Sequence, residues 1–442
     1  MPPSDHDEEQ KEKAKKALTA VNFFVETNRL ESYTAVYLIH FRKWNEVWFG
    51  IVSLVMNIAM LVFQTPAGDL IDKTRHKKLL TAGAILVAAF TTVMVVWTSN
   101  FWLILIGKTI EGISATIFLP ALMSLLLGVC LTQKEVPAFI ATTEVSNKVG
   151  SFLFVMACAA VSYFAFPNVG AIFYLLAAGG IAAAFFTLRI PSGAIDHDRA
   201  RQLSESGDLL SVDAAAPDAA APDAAAPDAA APESSKASPT RYRDLLRNRG
   251  IVVFAILTFC YHLANAGVAP LLSQYVATIS PQSVSLTWTS AVLIVYFFSQ
   301  ALTARSMTSA IDRFDHKFLT AIALVILPIR CAVIALLVMY FQNPYFLVAT
   351  QLFEGVGAGI YDIMLPVIVK KLTEGSGRFG FTYGFIVTCW RIGHGVSLLL
   401  GEAMVHYLGY KSAFWILGGI GLINLLSFIL FFRIDGRRNP AS

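Results

Sequence analysis

Several short groups of ionisable side chains interrupt the apolar stretches of this chain, and their spacing favours moving protons and holding a charged solute over cutting bonds. Lys108-x-x-Glu111 places a cation and a carboxylate at i, i+3 on one helix face, either as a purely structural pair or as a point where solute or proton intervenes. Gln351-x-x-Glu354 repeats the pattern without the lysine, so no cation on its own helix turn answers Glu354, which becomes a proton-carrier candidate with Asp362 as its rival. Glu144 and Lys148 at i, i+4 can pair; if Lys148 turns inward instead, it and Arg391 form two cations suited to clasp a carboxylate or phosphate. Glu26 and Arg29 are three apart, and either neutralise each other or contribute to proton coupling and solute binding respectively. Tyr261-His262-x-x-Asn265 offers Asn265 to a polar solute and His262 as a structural ring or a proton relay. His394 lies one turn after Arg391, and Tyr296 and Trp390 serve packing unless the solute has an apolar body.

These groups must be positioned by membrane-spanning helices. Of the 442 residues 56% are hydrophobic and only 14% charged, with a mean hydropathy of +0.60, whereas a soluble surface needs roughly 25% charged residues. Apolar runs near the ~20 residues that cross a bilayer recur along the chain. They predict twelve spans, at 19–39, 47–67, 79–98, 101–128, 137–164, 169–189, 251–276, 285–306, 318–341, 345–369, 379–407 and 411–432. Five Lys and Arg fall inside spans (Arg29, Lys108, Lys148, Arg330, Arg391) and three in outward loops (Arg42, Lys43, Lys411). The remainder of the 34 lie on the other side, which places both termini in the cytoplasm of a multi-pass protein, expected in the plasma membrane. The net charge of +4 reflects this topology, not nucleic-acid binding.

A highly charged N-terminus, Asp5 to Lys16, argues against a cleavable signal, so the first span both targets and anchors. The five cysteines form no CxxC pair and predict free thiols. Four copies of Asp-Ala-Ala-Ala-Pro, starting at Asp213, Asp218, Asp223 and Asp228, predict a disordered tether, because proline every fifth residue prevents a continuous helix. The stretches flanking the repeats read as amphipathic surface helices or as solvated charged loop. The expected organisation is a cytoplasmic tail (1–18), a six-helix bundle (19–189), a cytoplasmic linker (190–249), a second six-helix bundle (250–433) and a tail (434–442).

The two bundles repeat each other. Lys108–Ala115 aligns with Gln351–Ala358 and Lys148-Val149-Gly150 with Arg391-Ile392-Gly393, both 243 positions apart. The turn Gly68-x-Leu70-Ile71-Asp72-Lys73-x-x-x-Lys77-Lys78 has a fainter echo at Ile311-Asp312-Arg313-Phe314-Asp315-His316-Lys317. Pseudo-symmetric halves with ionisable groups at matching depths suit a secondary transporter that binds solute between them.

On these residues the chain resembles the major facilitator superfamily over nearly its whole length. The Gly68–Lys78 turn is similar to that family's motif A. The resemblance implies a cytoplasmic gate built from Gly68, Asp72, Lys73 and Lys77, with Asp312 and Arg313 as a weaker second copy. In the family the aspartate at the Asp72 position meets the N-terminal end of span eleven, where free N–H groups and partial positive charge favour a carboxylate. Arg75 departs from the family's usual glycine. Lys108-x-x-Glu111-Gly112 is similar to motif B, with lysine in place of arginine, and implies proton coupling there. The glycine–proline pattern that drug–proton antiporters carry in span five is missing, which weakens that reading.

The expected fold is an all-α membrane protein of twelve helices in two six-helix halves. The expected function is alternating-access transport of a small organic solute, proton-coupled and leaning to export, by a monomer whose partners are solute, protons and lipid bilayer. Solute binding is assigned to Arg29, Lys148, Asn265, Arg391, His262 and Tyr296, and proton coupling to Glu26, Lys108, Glu111, Glu354 and Asp362. The alternatives are import of an organic anion or sugar-like nutrient, and a non-transporting sensor. Without a Walker A sequence, HExxH, nucleophile elbow or metal-spaced His/Cys cluster, no catalytic residue, metal or cofactor is expected.

Overall fold

A computed structural model describes residues 5–25, 30–74, 76–130, 135–195, 247–373 and 379–432. Glu26, Asn28, Arg29, Arg75 and the Asp-Ala-Ala-Ala-Pro repeats lie outside the described residues, as do the side chains of Gly68, Asp72, Lys73, Glu144 and Asp312. The helices are α1 (Asp5–Phe24), α2 (Leu30–Val36), α3 (Glu46–Lys73), α4 (Lys77–Trp97), α5 (Phe101–Val129), α6 (Glu135–Phe164) and α7 (Ala171–Leu188), then α8 (Arg249–Asn265), α9 (Val268–Ile279), α10 (Ser285–Arg313), α11 (His316–Tyr340), α12 (Pro344–Ala349), α13 (Gln351–Leu372) and α14 (Phe379–Phe431). Among the described residues ten helical segments are long and apolar enough to cross a membrane. The last of them would measure about 77 Å if straight, more than twice the ~30 Å hydrocarbon core. It breaks at Gly409, where φ is +77°, and its second arm returns to bring Phe432 against Phe254 at 5.3 Å, so it counts as two spans. The first span is shared between α1 and α2.

Helix boundaries follow local chemistry. Asn100 Oδ1 accepts from the backbone N–H of Trp102 and Leu103 at the start of α5, and Asn343 Oδ1 accepts from Tyr345 N at the start of α12, two caps at repeat-related positions. Between α8 and α9 the chain turns at Gly267, whose N–H donates to Ser397 Oγ at 2.9 Å, so the predicted span 251–276 is a broken helix. Helix α1 begins at Asp5, well inside the stretch expected as a tail. Ala14, Leu18 and Val21 are fully buried on one face of it, and Lys15 reaches Glu135 at 3.2 Å.

The repeated glycines have a steric reason. A Cβ on Gly112 would stand 2.6 Å from Met56 O of α3, and one on Gly355 would stand 2.6 Å from Tyr296 O of α10. Likewise a Cβ on Gly150 would collide with Phe23 O of α1, and one on Gly393 would lie 2.5 Å from Phe259 O of α8. Each glycine lets two helix backbones touch, and each contact occurs once per half.

One end of the bundle carries the start of α1 and the end of α14; the other carries the turns at 42–45, 98–100, 165–170 and 341–343. The halves are sealed at that second end. Trp44, Phe49, Val155 and Phe173 share an apolar cluster there with Leu286, Leu293 and Phe297. Hydrogen bonds join Tyr33 Oη to Ser290 Oγ (2.8 Å) and Ser162 Oγ to Thr287 Oγ1 (2.7 Å), and Glu46 Oε2 meets His406 Nδ1 at 3.1 Å.

Candidate functional site

Below this seal two adjoining cavities lie between the halves. The first, of about 230 Å³, is lined by Lys148, Tyr261, His262, Asn265, Tyr296, Gln300, Glu354 and Asp362; the second, of about 290 Å³, by Met56, Asn57, Met60, Lys108, Glu111 and Arg391. Glu31, Trp390 and His394 line both. All nine solute and proton candidates within the described residues therefore reach the two cavities; Glu26 and Arg29 lie outside the description. Lys148 and Arg391 line different cavities, so the structure does not gather them around one anion as the sequence led us to expect.

The wall between the cavities is a contact across the halves. His394 of α14 meets Glu31 of α2 at 3.2 Å, with 31% and 27% of the side chains exposed, so water or solute can reach the pair. Glu31 and His394 are 363 residues apart, and no local pattern in the sequence pairs them. Around them stand rings: His262 is flanked by Trp390 (5.0 Å), Tyr261 (5.1 Å) and Tyr361 (5.7 Å), and Tyr261 stacks on Tyr361 at 4.0 Å. Tyr361 Oη donates to Thr258 Oγ1 at 3.0 Å, fixing the stack.

The carboxylates are engaged. Lys108 Nζ donates to Glu111 Oε2 at 2.9 Å and Thr91 Oγ1 donates to the same oxygen at 2.7 Å, forming the i, i+3 pair that the spacing predicts. Glu354 is not left without a cation, contrary to the sequence-based expectation. Arg330 of the neighbouring helix α11 meets it at 3.0 Å, with only 1% and 3% of the two side chains exposed. Its partner comes from another helix, which heptad-scale spacing within α13 does not reveal. Gln300 Nε2 donates to Asp362 Oδ2 at 3.1 Å.

The two remaining cations differ. Arg391 directs Nη1 at Met60 Sδ (3.9 Å), and its buried Nε has no hydrogen-bond partner. Lys148 has no ion-pair or hydrogen-bond partner among the described residues. Lys148 is exposed, so only Arg391 keeps a half-buried donor without an acceptor, a cost that a bound anion would remove.

Of the expected gate residues, Lys77 and Arg313 have described side chains. Lys77 is fully buried and donates to Ser124 Oγ at 2.6 Å, pinning α4 to α5. Lys78 donates to Ile190 O at 2.9 Å, tying down the turn after α7. In the second copy Arg313 is exposed, and Asp315 accepts from Lys317 N at 3.1 Å as the N-cap of α11.

Comparison with known proteins agrees with this arrangement. A family model described as the Major Facilitator Superfamily matches residues 19–261 and 254–442. An uncharacterised MFS-type transporter of Mycobacterium tuberculosis, found in strains CDC 1551 / Oshkosh and H37Rv, is 29% identical over 418 residues, covering 94% of this chain and 92% of the relative. Among solved structures, the nucleoside transporter NupG (D323A mutant) superposes with a TM-score of 0.72 at 17% identity, over 96% of this chain and 100% of that one. A D-xylose-proton symporter does so at 0.67 and 13% identity, over 97% and 98%. At these identities the structural likeness establishes the fold alone.

Proposed function

We propose that this chain, which belongs to the Major Facilitator Superfamily and is a multi-pass secondary transporter, carries a small organic anion by alternating access coupled to protons. The observation that carries the reading is a charge imbalance at the cavities. Glu31, Glu111, Glu354 and Asp362 each have a described partner, whereas Lys148 and Arg391 have no carboxylate partner among the described residues. A solute with a carboxylate or phosphate supplies the missing charge, and Arg391 can fork onto two of its oxygens. Asn265 and the Tyr261–His262–Trp390 rings then hold its polar and flat parts.

Coupling runs through the Glu31–His394 contact, which joins the halves between the cavities. A protonated His394 holds an ionised Glu31; protonating Glu31 or deprotonating His394 weakens that hold and lets the halves separate. Lys108–Glu111 is a second accessible proton site, and the terminal end of the bundle faces the cytoplasm, where the Gly68–Lys78 turn and its copy act as the gate. Residues 190–249 are the linker between two six-helix units.

The test is transport of a mixed metabolite pool by proteoliposomes under an imposed pH gradient, read by mass spectrometry. Accumulation restricted to anionic members, falling about tenfold or more in Lys148→Ala and Arg391→Ala, is expected. Transport of neutral solutes indifferent to both substitutions would contradict the anion reading, and wild-type protein inert toward the whole pool would favour the sensor. Efflux against uptake in the same vesicles decides between export and import.

A further inference from the structure

Lys148, Phe297, Gln300 and Asp362 line the first central cavity and also a third, about 510 Å³ in volume, between α6 and α10. That third chamber is otherwise apolar, walled by Phe152, Leu153, Phe298, Ala301, Ala304 and Ile363. Leu153 and Phe298 are exposed on the bundle's outer face, so the chamber opens sideways, toward where acyl chains lie. Its volume falls in the ~300–1,000 Å³ range of small-molecule sites.

The ring-bearing part of the wall and the polar groups are ordered along the membrane normal, while Ala301 and Ala304 extend the wall past Gln300 toward the terminal end. Lys148 lies 16 residues from the Phe164 end of α6, about 24 Å, and so toward the terminal end of the bundle. Phe152 and Leu153 lie one turn farther from that end, as does Phe297 relative to Gln300. A lipid in the leaflet on the terminal side has the same order, head at that side and tail toward mid-bilayer. The charge at the junction is also lopsided, because Asp362 accepts from Gln300 while Lys148 lacks a partner among the described residues.

We infer that the α6–α10 chamber is a lateral binding site for a single-chain amphiphile with an anionic head, which passes from the bilayer to the central cavity with its head on Lys148 and its tail against Phe152, Leu153 and Phe298. The inference rests on the transporter reading and narrows its anion to one with an apolar tail.

The test uses full-length protein in phosphatidylcholine nanodiscs, a diazirine-bearing pentadecanoate probe and mass-spectrometric mapping of labelled peptides. Label is expected on 149–153 and 297–304, about tenfold above the outward faces at 86–90 and 181–185. Unlabelled dodecyl phosphate should compete and dodecanol should not. Lys148→Ala should lower the chamber label about tenfold while Lys148→Arg retains it, and Ala304→Trp should exclude the probe from a protein of unchanged melting temperature. Equal labelling of all apolar faces, or chamber labelling indifferent to Lys148→Ala, means ordinary annular lipid and overturns the inference. That result leaves the transporter reading standing if pH-driven flux of soluble anions persists; loss of all flux with chamber labelling intact would count against the transporter reading alone.

Discussion

The two central cavities are built from repeat-related parts that have been wired differently. Each sets a cation of one half among carboxylates that include the repeat-related one of the other half: Lys148 with Glu354 in the first, Arg391 with Glu111 in the second, and Glu31 lines both. On α10 the residues Tyr296, Phe297 and Gln300 line the first cavity where Met56, Asn57 and Met60, 240 positions earlier on α3, line the second. Yet Glu111 takes its lysine from its own helix and keeps 15% of its side chain exposed, whereas Glu354 takes Arg330 from a neighbouring helix and keeps 3%. The same repeat position thus yields a partly open pair and one that is almost fully buried. The first pair opens to the second cavity; the buried one holds α11 to α13.

That difference is open to direct attack. Arg330→Ala leaves the Glu354 carboxylate buried without its cation and should cost about 3–5 kcal/mol, seen as a large drop in melting temperature or loss of folded protein. Lys108→Ala leaves Glu111 its bond from Thr91 and an outlet to solvent, so it should cost less than about 2 kcal/mol. Equal losses would erase the distinction between the two halves. Next in size, Gly150→Ala and Gly393→Ala should each destabilise by about 1–3 kcal/mol, because the new methyl meets the carbonyl of Phe23 or Phe259. A loss at one position only would show that the repeat contact matters in one half.

Flux should separate the acids in the opposite sense. Glu111→Gln is expected to fold and to lose about tenfold of pH-driven transport, while folded Glu354→Gln retains its pH dependence. The reverse outcome would return Glu354 to the role its sequence context first suggested. Smallest are the caps: Asn100→Ala, which removes two bonds to backbone N–H groups, should cost about 1 kcal/mol, and Asn343→Ala, which removes one, less than that. Thermal unfolding of the pair, measured in one detergent, checks the order.

Most of the fold was legible because apolar runs, Gly/Pro breaks and a half-chain repeat are all one-dimensional signals. The charged residues that line the cavities were legible for a related reason: a charge in an apolar helix stands out wherever it sits. Partnerships between helices left no such mark. Arg330 precedes Glu354 by 24 residues and Glu31 precedes His394 by 363, distances at which no periodicity operates. The packed start of α1 was legible but hidden by charge: Ala14, Leu18 and Val21 follow the i, i+4, i+7 rule between the lysines of an expected tail.

Everything proposed about coupling turns on the Glu31–His394 contact between the cavities. Proteoliposomes loaded with a pH-sensitive dye report proton movement when an anionic metabolite pool is added, and the sign of the change distinguishes symport from antiport. With wild-type protein a solute-dependent pH change is expected; Glu31→Gln and His394→Gln should each abolish it, and the double variant should lose no more than either single one. Solute flux with no proton movement, or a pH change unaltered in both single variants, would contradict the account.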